Sequence, residues 1–309
     1  MSLDRSTIIR GPAIVTYNSV TFYSAGDITA NILAETFDVN VDMYGKVDER
    51  WSNAPVEISF TPTQWDSLSV LFPHTTPAIG SSLYGATDKD LVIQTLAGKK
   101  LTFRAAAITQ MPTITLSTVA PLLGAVTFVA IGTNDEAWTG TSHRLLVETE
   151  AFADTSFDET KLYTQAYTVA WGAVDPWDDI QSSDGVVINL NMNITDHNVD
   201  SEGLVDKTLG GVDASAALTP VGVDESDVVD LLQVQGASAG RGVSLNGNSN
   251  DLNISATGVY VRIYNAAPKE GPLQFGSVTL RAGQLGFIAT RSWTGGTIDP
   301  LFYVGTTAP

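Results

Sequence analysis

The sequence predicts a mainly β protein built from two tandem copies of one domain, each with a short flanking helix. Three observations carry this. First, GKVDERWSNAPVEISFTP, residues 45–62, returns without a gap as GLVDKTLGGVDASAALTP, residues 203–220, a constant separation of 158 residues (203 − 45 and 220 − 62). Identities fall at Gly45 and Gly203, at Val47-Asp48 and Val205-Asp206, and at Thr61-Pro62 and Thr219-Pro220, with Val41-Asp42 and Val199-Asp200 just upstream. A fixed internal period over a structurally demanding stretch is the mark of a duplicated unit. Second, apolar residues alternate. Val56, Ile58 and Phe60 keep phase with Ala214, Ala216 and Leu218, as a half-buried strand requires. Third, the strand ends at Pro in both copies, and helical spacing follows. Thr63 caps Trp65, Leu68, Leu71 and Phe72 before Pro73; Asp224 caps Val228, Leu231 and Leu232.

Taken in order, residues 1–11 form an N-terminal arm ended by Gly11-Pro12. The first domain spans 12–132, an acidic linker 133–165, and the second domain 166–309. Ala13 to Tyr23 is a strand or a hairpin turning at Asn18-Ser19. Phe37, Val39, Val41 and Met43 then alternate with Asp38, Asn40, Asp42 and Tyr44, and Gly45 ends that strand. Lys46 to Pro55 reads as a charged connection carrying Trp51, and Val56 to Thr61 as the return strand. Leu91–Gln94, Leu101–Ile108, Thr113–Ser117 and Val126–Ile131 are further strands, the first two joined through Ala97-Gly98-Lys99-Lys100. The linker holds a short element around His143 to Val147.

In the second copy Ile188, Leu190, Met192 and Ile194 alternate with Asn189, Asn191, Asn193 and Thr195. Matching Ile194 to Phe37 needs an offset of 157, which predicts a one-residue bulge near Asp196. Strands resume at Asn253, Val259–Tyr264, Val278–Leu280 and Gln284–Thr290. Weaker correspondences keep the same order: Val15 with Val169, Arg104 with Arg262, Pro112 with Pro272, and GAVTFVA from Gly124 with GQLGFIA from Gly283.

The chain of 309 residues is 43% hydrophobic and carries a net charge of −18. The acidity is shared, with 17 Asp and Glu side chains in residues 1–158 and 17 in 159–309. That argues against a surface that grips phosphate, because such affinity comes mainly from Lys and Arg displacing counterions. There is no cysteine, so disulfides and thiolate metal sites are excluded. The N-terminal stretch lacks the pattern of a signal peptide and no apolar run has the length of a membrane span; the expected site of synthesis is a cytoplasm.

Reactive constellations are not apparent. His74, His143 and His197 lack partners at metal-binding spacing. Asp175, Asp178 and Asp179 near Trp177, and Asp224, Glu225 and Asp227, do not match a calcium loop. GASAGRG at 236–242 lacks the Lys-Ser/Thr of a phosphate loop, and no GxSxG motif occurs. The expectation is a protein that is not an enzyme and needs no metal or cofactor.

The stretches GPAIVTY, GDI, ETFDVNVD, YGKVDER and EISFTP, with LTFRAAAITQMP and GAVTF, and in the second copy SDG, VDKTL, LTPVG and LQVQGASAGRG, resemble the major tail tube proteins of long-tailed bacteriophages. The resemblance covers most of the chain except the linker and termini. It implies a β-sandwich or partial barrel with one short helix per domain, and six-domain rings stacked through a long hairpin loop. A fused pair of domains would then make a homotrimeric ring with pseudo-sixfold symmetry. The implied partners are further copies of the chain, with tail terminator, tape measure and distal tail proteins by family analogy. DNA passes through the lumen without specific binding and no membrane is involved. The implied location is the virion tail, after assembly in the bacterial host cytoplasm.

On that reading the two connections supply candidate ring-stacking residues: Lys46, Asp48, Glu49, Arg50 and Trp51, and their counterparts Leu204, Asp206, Lys207 and Leu209. The polar strand faces, Asp38, Asn40 and Asp42 with Asn189, Asn191 and Asn193, are candidates for the lumen, where neutral or negative groups leave DNA free to slide. An ordinary solvated sheet face is the alternative for these positions. The competing function is a two-domain carbohydrate-binding or baseplate adhesion module, with Trp51, Trp138, Trp171 and Trp177 stacking on sugars.

Overall fold

A computed structural model describes residues 13–64, 67–84, 89–117, 123–132, 145–152, 167–173, 177–199, 203–221, 249–270, 273–275, 280–291, 293–294 and 297–309. The chain is mainly β. The first half supplies β1 (Ala13–Tyr17), β2 (Val20–Tyr23), β3 (Thr29–Ile32), β4 (Glu35–Val41), β5 (Gly45–Asn53), β6 (Val56–Phe60), β7 (Lys89–Thr95), β8 (Lys99–Gln110), β9 (Ile114–Leu116), β10 (Val126–Ala130) and β11 (Leu145–Thr149). The second supplies β12 (Tyr167–Trp171), β13 (Gln181–Val199), β14 (Gly203–Val221), β15 (Asn250–Ala256), β16 (Val259–Glu270), β17 (Leu273–Phe275), β18 (Leu280–Ala282), β19 (Leu285–Ala289), β20 (Trp293–Thr294), β21 (Thr297–Ile298) and β22 (Phe302–Gly305).

Two large antiparallel sheets have the same strand order. The first runs β2-β1-β7-β8-β10-β6-β3 with β11 also on β8; the second runs β12-β15-β16-β19-β14-β13-β9 with β22 also on β16. The ladders match in detail. Phe128 opposes Ile58 and Phe287 opposes Ala216, so the GAVTFVA and GQLGFIA strands are equivalent and the 158-residue offset of the return strand holds. β11 lies within the stretch expected as linker, yet it pairs with β8 as β22 pairs with β16, so 145–149 belong to the first sheet.

One pair of backbone outliers marks the duplication. Ala105 has φ 48° and Asn265 φ 47°, left-handed values for non-glycine residues. Each sits where a long strand changes partner. β8 pairs β11 through Phe103 and β10 from Ala106; β16 pairs β22 through Ile263 and β19 from Ala266. A kink there lets one strand serve two neighbours in different directions. It also corrects the match of Arg104 with Arg262. Arg104 lies one residue before its outlier and Arg262 three before its own, so Arg262 corresponds to Thr102. Arg262 instead donates from Nε to Asn253 Oδ1 at 2.7 Å and lies over the rings of Tyr260 and Tyr264.

The halves share a core. Alternate residues of both sheets enter one buried cluster, from Tyr17, Phe60 and Phe128 to Ile188, Leu218 and Phe287. Phe128 stacks on Phe60 at 5.9 Å and meets Tyr17 edge-on at 4.8 Å. The sheets are also joined through the backbone, because β9, a first-half strand, is the end strand of the second sheet beside β13.

The helix after Pro62 is not present as expected. Leu68, Leu71 and Phe72 are buried, but a four-residue 3-10 turn, Leu68–Leu71, carries them, entered through Ser67 at φ 58°. Four residues between a left-handed entry and Pro73 leave no room for α-helical bonding to propagate. The corresponding segment of the second copy, with Asp224, Val228, Leu231 and Leu232, lies outside the described residues.

His74, next to this turn, is buried, and burial pushes its pKa below the ordinary imidazole value. The folded state therefore takes up its proton less readily than the unfolded state, and stability falls as pH drops from about 6.5, the unfolded imidazole range. His74→Gln is expected to flatten the pH dependence of the thermal midpoint between pH 7 and 5; an unchanged slope refutes this role.

Candidate assembly surface

Two long hairpins dominate the surface, one from each repeat. In the second repeat, β13 and β14 run as one continuous 19-residue pair. The first repeat divides the same ribbon into a base, β3 with β6, and a tip, β4 with β5. The break falls at Leu33-Ala34 and Ala54-Pro55. Pro55 has no N–H to give to a ladder, whereas its counterpart Asp213 pairs with Asn191. Leu33 N still donates to Pro55 O at 2.9 Å, which keeps base and tip connected.

The tips are equivalent residue for residue. Thr36 opposes Trp51 and Ile194 opposes Leu209; Val39 opposes Asp48 and His197 opposes Asp206. Ser52 and Gly210 are the extra residues at one bulge, and Val47 and Val205 at another. Every one of these pairs is 158 residues apart. The offset of 157 and the bulge near Asp196 are thereby corrected: Asp38 corresponds to Asp196, Phe37 to Thr195, and both irregularities lie in the return strands. The connections expected at Lys46–Pro55 and Leu204–Asp213 are themselves strand. The first hairpin turns at Asp42–Tyr44, where Tyr44 N bonds Val41 O at 2.9 Å and Gly45 takes φ 69°. That left-handed step explains why glycine begins the repeated stretch in this copy.

One face of the first tip carries a charged lattice. Lys46 Nζ lies 2.6 Å from Asp38 and 2.9 Å from Glu49, and Thr36 Oγ1 donates to Glu49 at 2.6 Å. The hydrogen bond to Asp38, then that to Glu49, raises the Lys46 pKa; the bond from Thr36, then that from Lys46, lowers that of Glu49. Arg50 Nε lies 3.0 Å from Asp48, and its hydrogen bond, with one from the Glu49 backbone, holds the Asp48 carboxyl below its ordinary value. All are solvated, so they order the ribbon more than they stabilise it. Between them stand exposed apolar side chains: Phe37, Val41, Val47, Met43 at 85% exposure and Tyr44 at 77%. Trp51 occupies β5 opposite Thr36.

The second tip is used differently. Leu209 is 0% exposed and Leu204 is buried against Ala105, Val129 and Ile131 of the first repeat. Gly80 N donates to Leu209 O at 2.7 Å, Leu209 N to Ser81 O at 2.9 Å, and Leu83 N to Lys207 O at 2.8 Å. Ser82 Oγ donates to Asp206 Oδ1 at 2.6 Å. Lys207 is largely buried and pairs with Asp196 at 2.5 Å. Leu204 and Leu209 are thus not exposed anchors; they join the two repeats within one chain. No local pattern could reveal this, because the partner segment is more than a hundred residues away.

The polar positions divide likewise. Asp38, Asn40, Asp42, Asn191 and Asn193 are exposed, while Asn189 is half-buried and accepts from Thr113 Oγ1 at 3.3 Å. The two triplets are not equivalent, since Asn189 corresponds to Asn31. Opposite the β13 asparagines, Ile188 and Leu190 are buried and Met192 and Ile194 half-buried, as the alternation predicts.

Trp171 is buried, donates from Nε1 to Ala266 O at 2.7 Å and meets Trp177 edge-on at 6.1 Å, so its ring offers no face for a sugar. Among the described residues no three His, Asp or Glu side chains group as metal ligands, and no helix is long and apolar enough to cross a membrane. Trp138, His143, Asp175, the acidic cluster at 224–227 and the glycine-rich 236–242 lie outside the described residues. Comparison with known proteins finds no family model and no curated protein that matches the chain.

Proposed function

We propose that the chain is a self-assembling structural subunit of a phage tail tube, each repeat being one tube domain of the β-sandwich or partial-barrel kind. Three chains close a pseudo-hexameric ring, and rings stack into a channel for DNA. The observation that carries this reading is the way the repeats meet. They are not related by a twofold contact. A strand and a loop of the first repeat dock on the hairpin of the second, a head-to-tail arrangement that generates rings when its rotation closes. The exposed apolar tip of β4–β5 supplies the contact between rings, and the shared negative charge keeps DNA from adhering.

Negative-stain microscopy of purified protein tests this directly. Rings with three chains each, or tubes of such rings, are expected; monomers alone across salt and concentration would sink the reading.

A further inference from the structure

The seam between the repeats has a second, unfilled counterpart. In the second sheet, β9 pairs with β13 through Leu116–Val186, Thr115–Val187 and Ile114–Ile188. The residues of β13 so covered, Val186 and Ile188, and the next on that face, Leu190, are buried. Their counterparts 158 residues earlier are Ile28, Ala30 and Ile32, on and beside β3. There β3 is the end strand of its sheet, with β6 as its ladder partner among the described residues. All four β3 residues are exposed, Ile32 at 58%. The same position is therefore a covered interior strand in one repeat and an open edge in the other.

The matching docking strand also exists. Ile114 bridges to Leu123, and Leu273 pairs with Ala282; both steps are 159 residues apart, so β17 is the equivalent of β9. Among the described residues β17 pairs with β18 alone. One chain thus presents an edge that lacks its strand and a strand that lacks its edge.

We infer that β17 of one chain docks as an antiparallel strand on β3 of a second copy, repeating between chains the β9–β13 seam made within each. Transferring the internal register sets Thr29 opposite Gln274 and Ala30 opposite Leu273. The added strand supplies partners for the open backbone edge of β3 and covers Ile32 and its neighbours. The inference rests on the ring reading and names the surfaces that close the ring.

The test uses the absence of cysteine from the full-length chain. Thr29→Cys with Gln274→Cys, and separately Ala30→Cys with Leu273→Cys, are oxidised and run on non-reducing gels. Directly opposed strand positions lie within disulfide reach. Circular dichroism of the reduced proteins checks folding, and the second pair serves if the first is unstable. Linked dimers and trimers are expected, with at least tenfold less linking for the register-shifted control Asp27→Cys with Gln274→Cys. Equal linking in the control, or a link confined within one chain, overturns the pairing. Rings seen by microscopy without linking by either folded pair overturn the pairing and leave the ring reading intact; no rings and no linking overturn both.

Discussion

Phe128→Ala is expected to destabilise the chain by about 3–5 kcal/mol, the usual cost of removing a fully buried phenylalanine side chain. Phe128 is fully buried, stacked on Phe60 and met edge-on by Tyr17. It lies on β10, paired with both β6 and β8, so the void opens beside three hydrogen-bonded strands that cannot collapse independently. Denaturant unfolding gives the number. Because the core is continuous across both sheets, the variant is expected to unfold in one transition at a lower midpoint; a loss below about 1 kcal/mol would refute the packing described here.

The second large effect concerns assembly. Met43→Asp with Tyr44→Asp places two charges on the tip of the β4–β5 hairpin, where the native side chains are among the most exposed apolar groups of the chain. The thermal midpoint is expected to change little, since neither residue touches the core. Stacking is expected to be lost, because a desolvated contact cannot accept unpaired carboxylates. Microscopy would show separate rings where the parent forms tubes. Tubes of normal length from the double variant would remove the hairpin tip from the ring contact, whatever else holds the tube together.

The duplication was legible in the sequence because Gly45, Val47-Asp48 and Thr61-Pro62 have backbone duties that few other residues meet. The mainly β character and the inward face of β13 were legible from period-two alternation. The strand character of β5 was not, since Lys46, Asp48, Glu49 and Arg50 form a solvated ribbon with no buried face of its own, and charge density there resembles a loop. The offset of 157 arose from matching apolar residues. Phe37 and Thr195 are equivalent, but only register shows it, because one tip is open to solvent and the other lies against the first repeat. The buried roles of Leu204 and Leu209 depend on contacts with distant residues and left no local trace. The short 3-10 turn after Pro62 kept the expected buried residues in a different backbone form.

The β9–β13 seam has a kinetic consequence. It forms as the chain folds, so dilution does not weaken it. In a six-lobed ring made of such chains, alternate seams are already closed at synthesis, and only three encounters between separate molecules remain. Nucleation then depends on a lower power of subunit concentration than it would for six unfused lobes, and closed rings persist at dilutions where single-domain subunits would disperse.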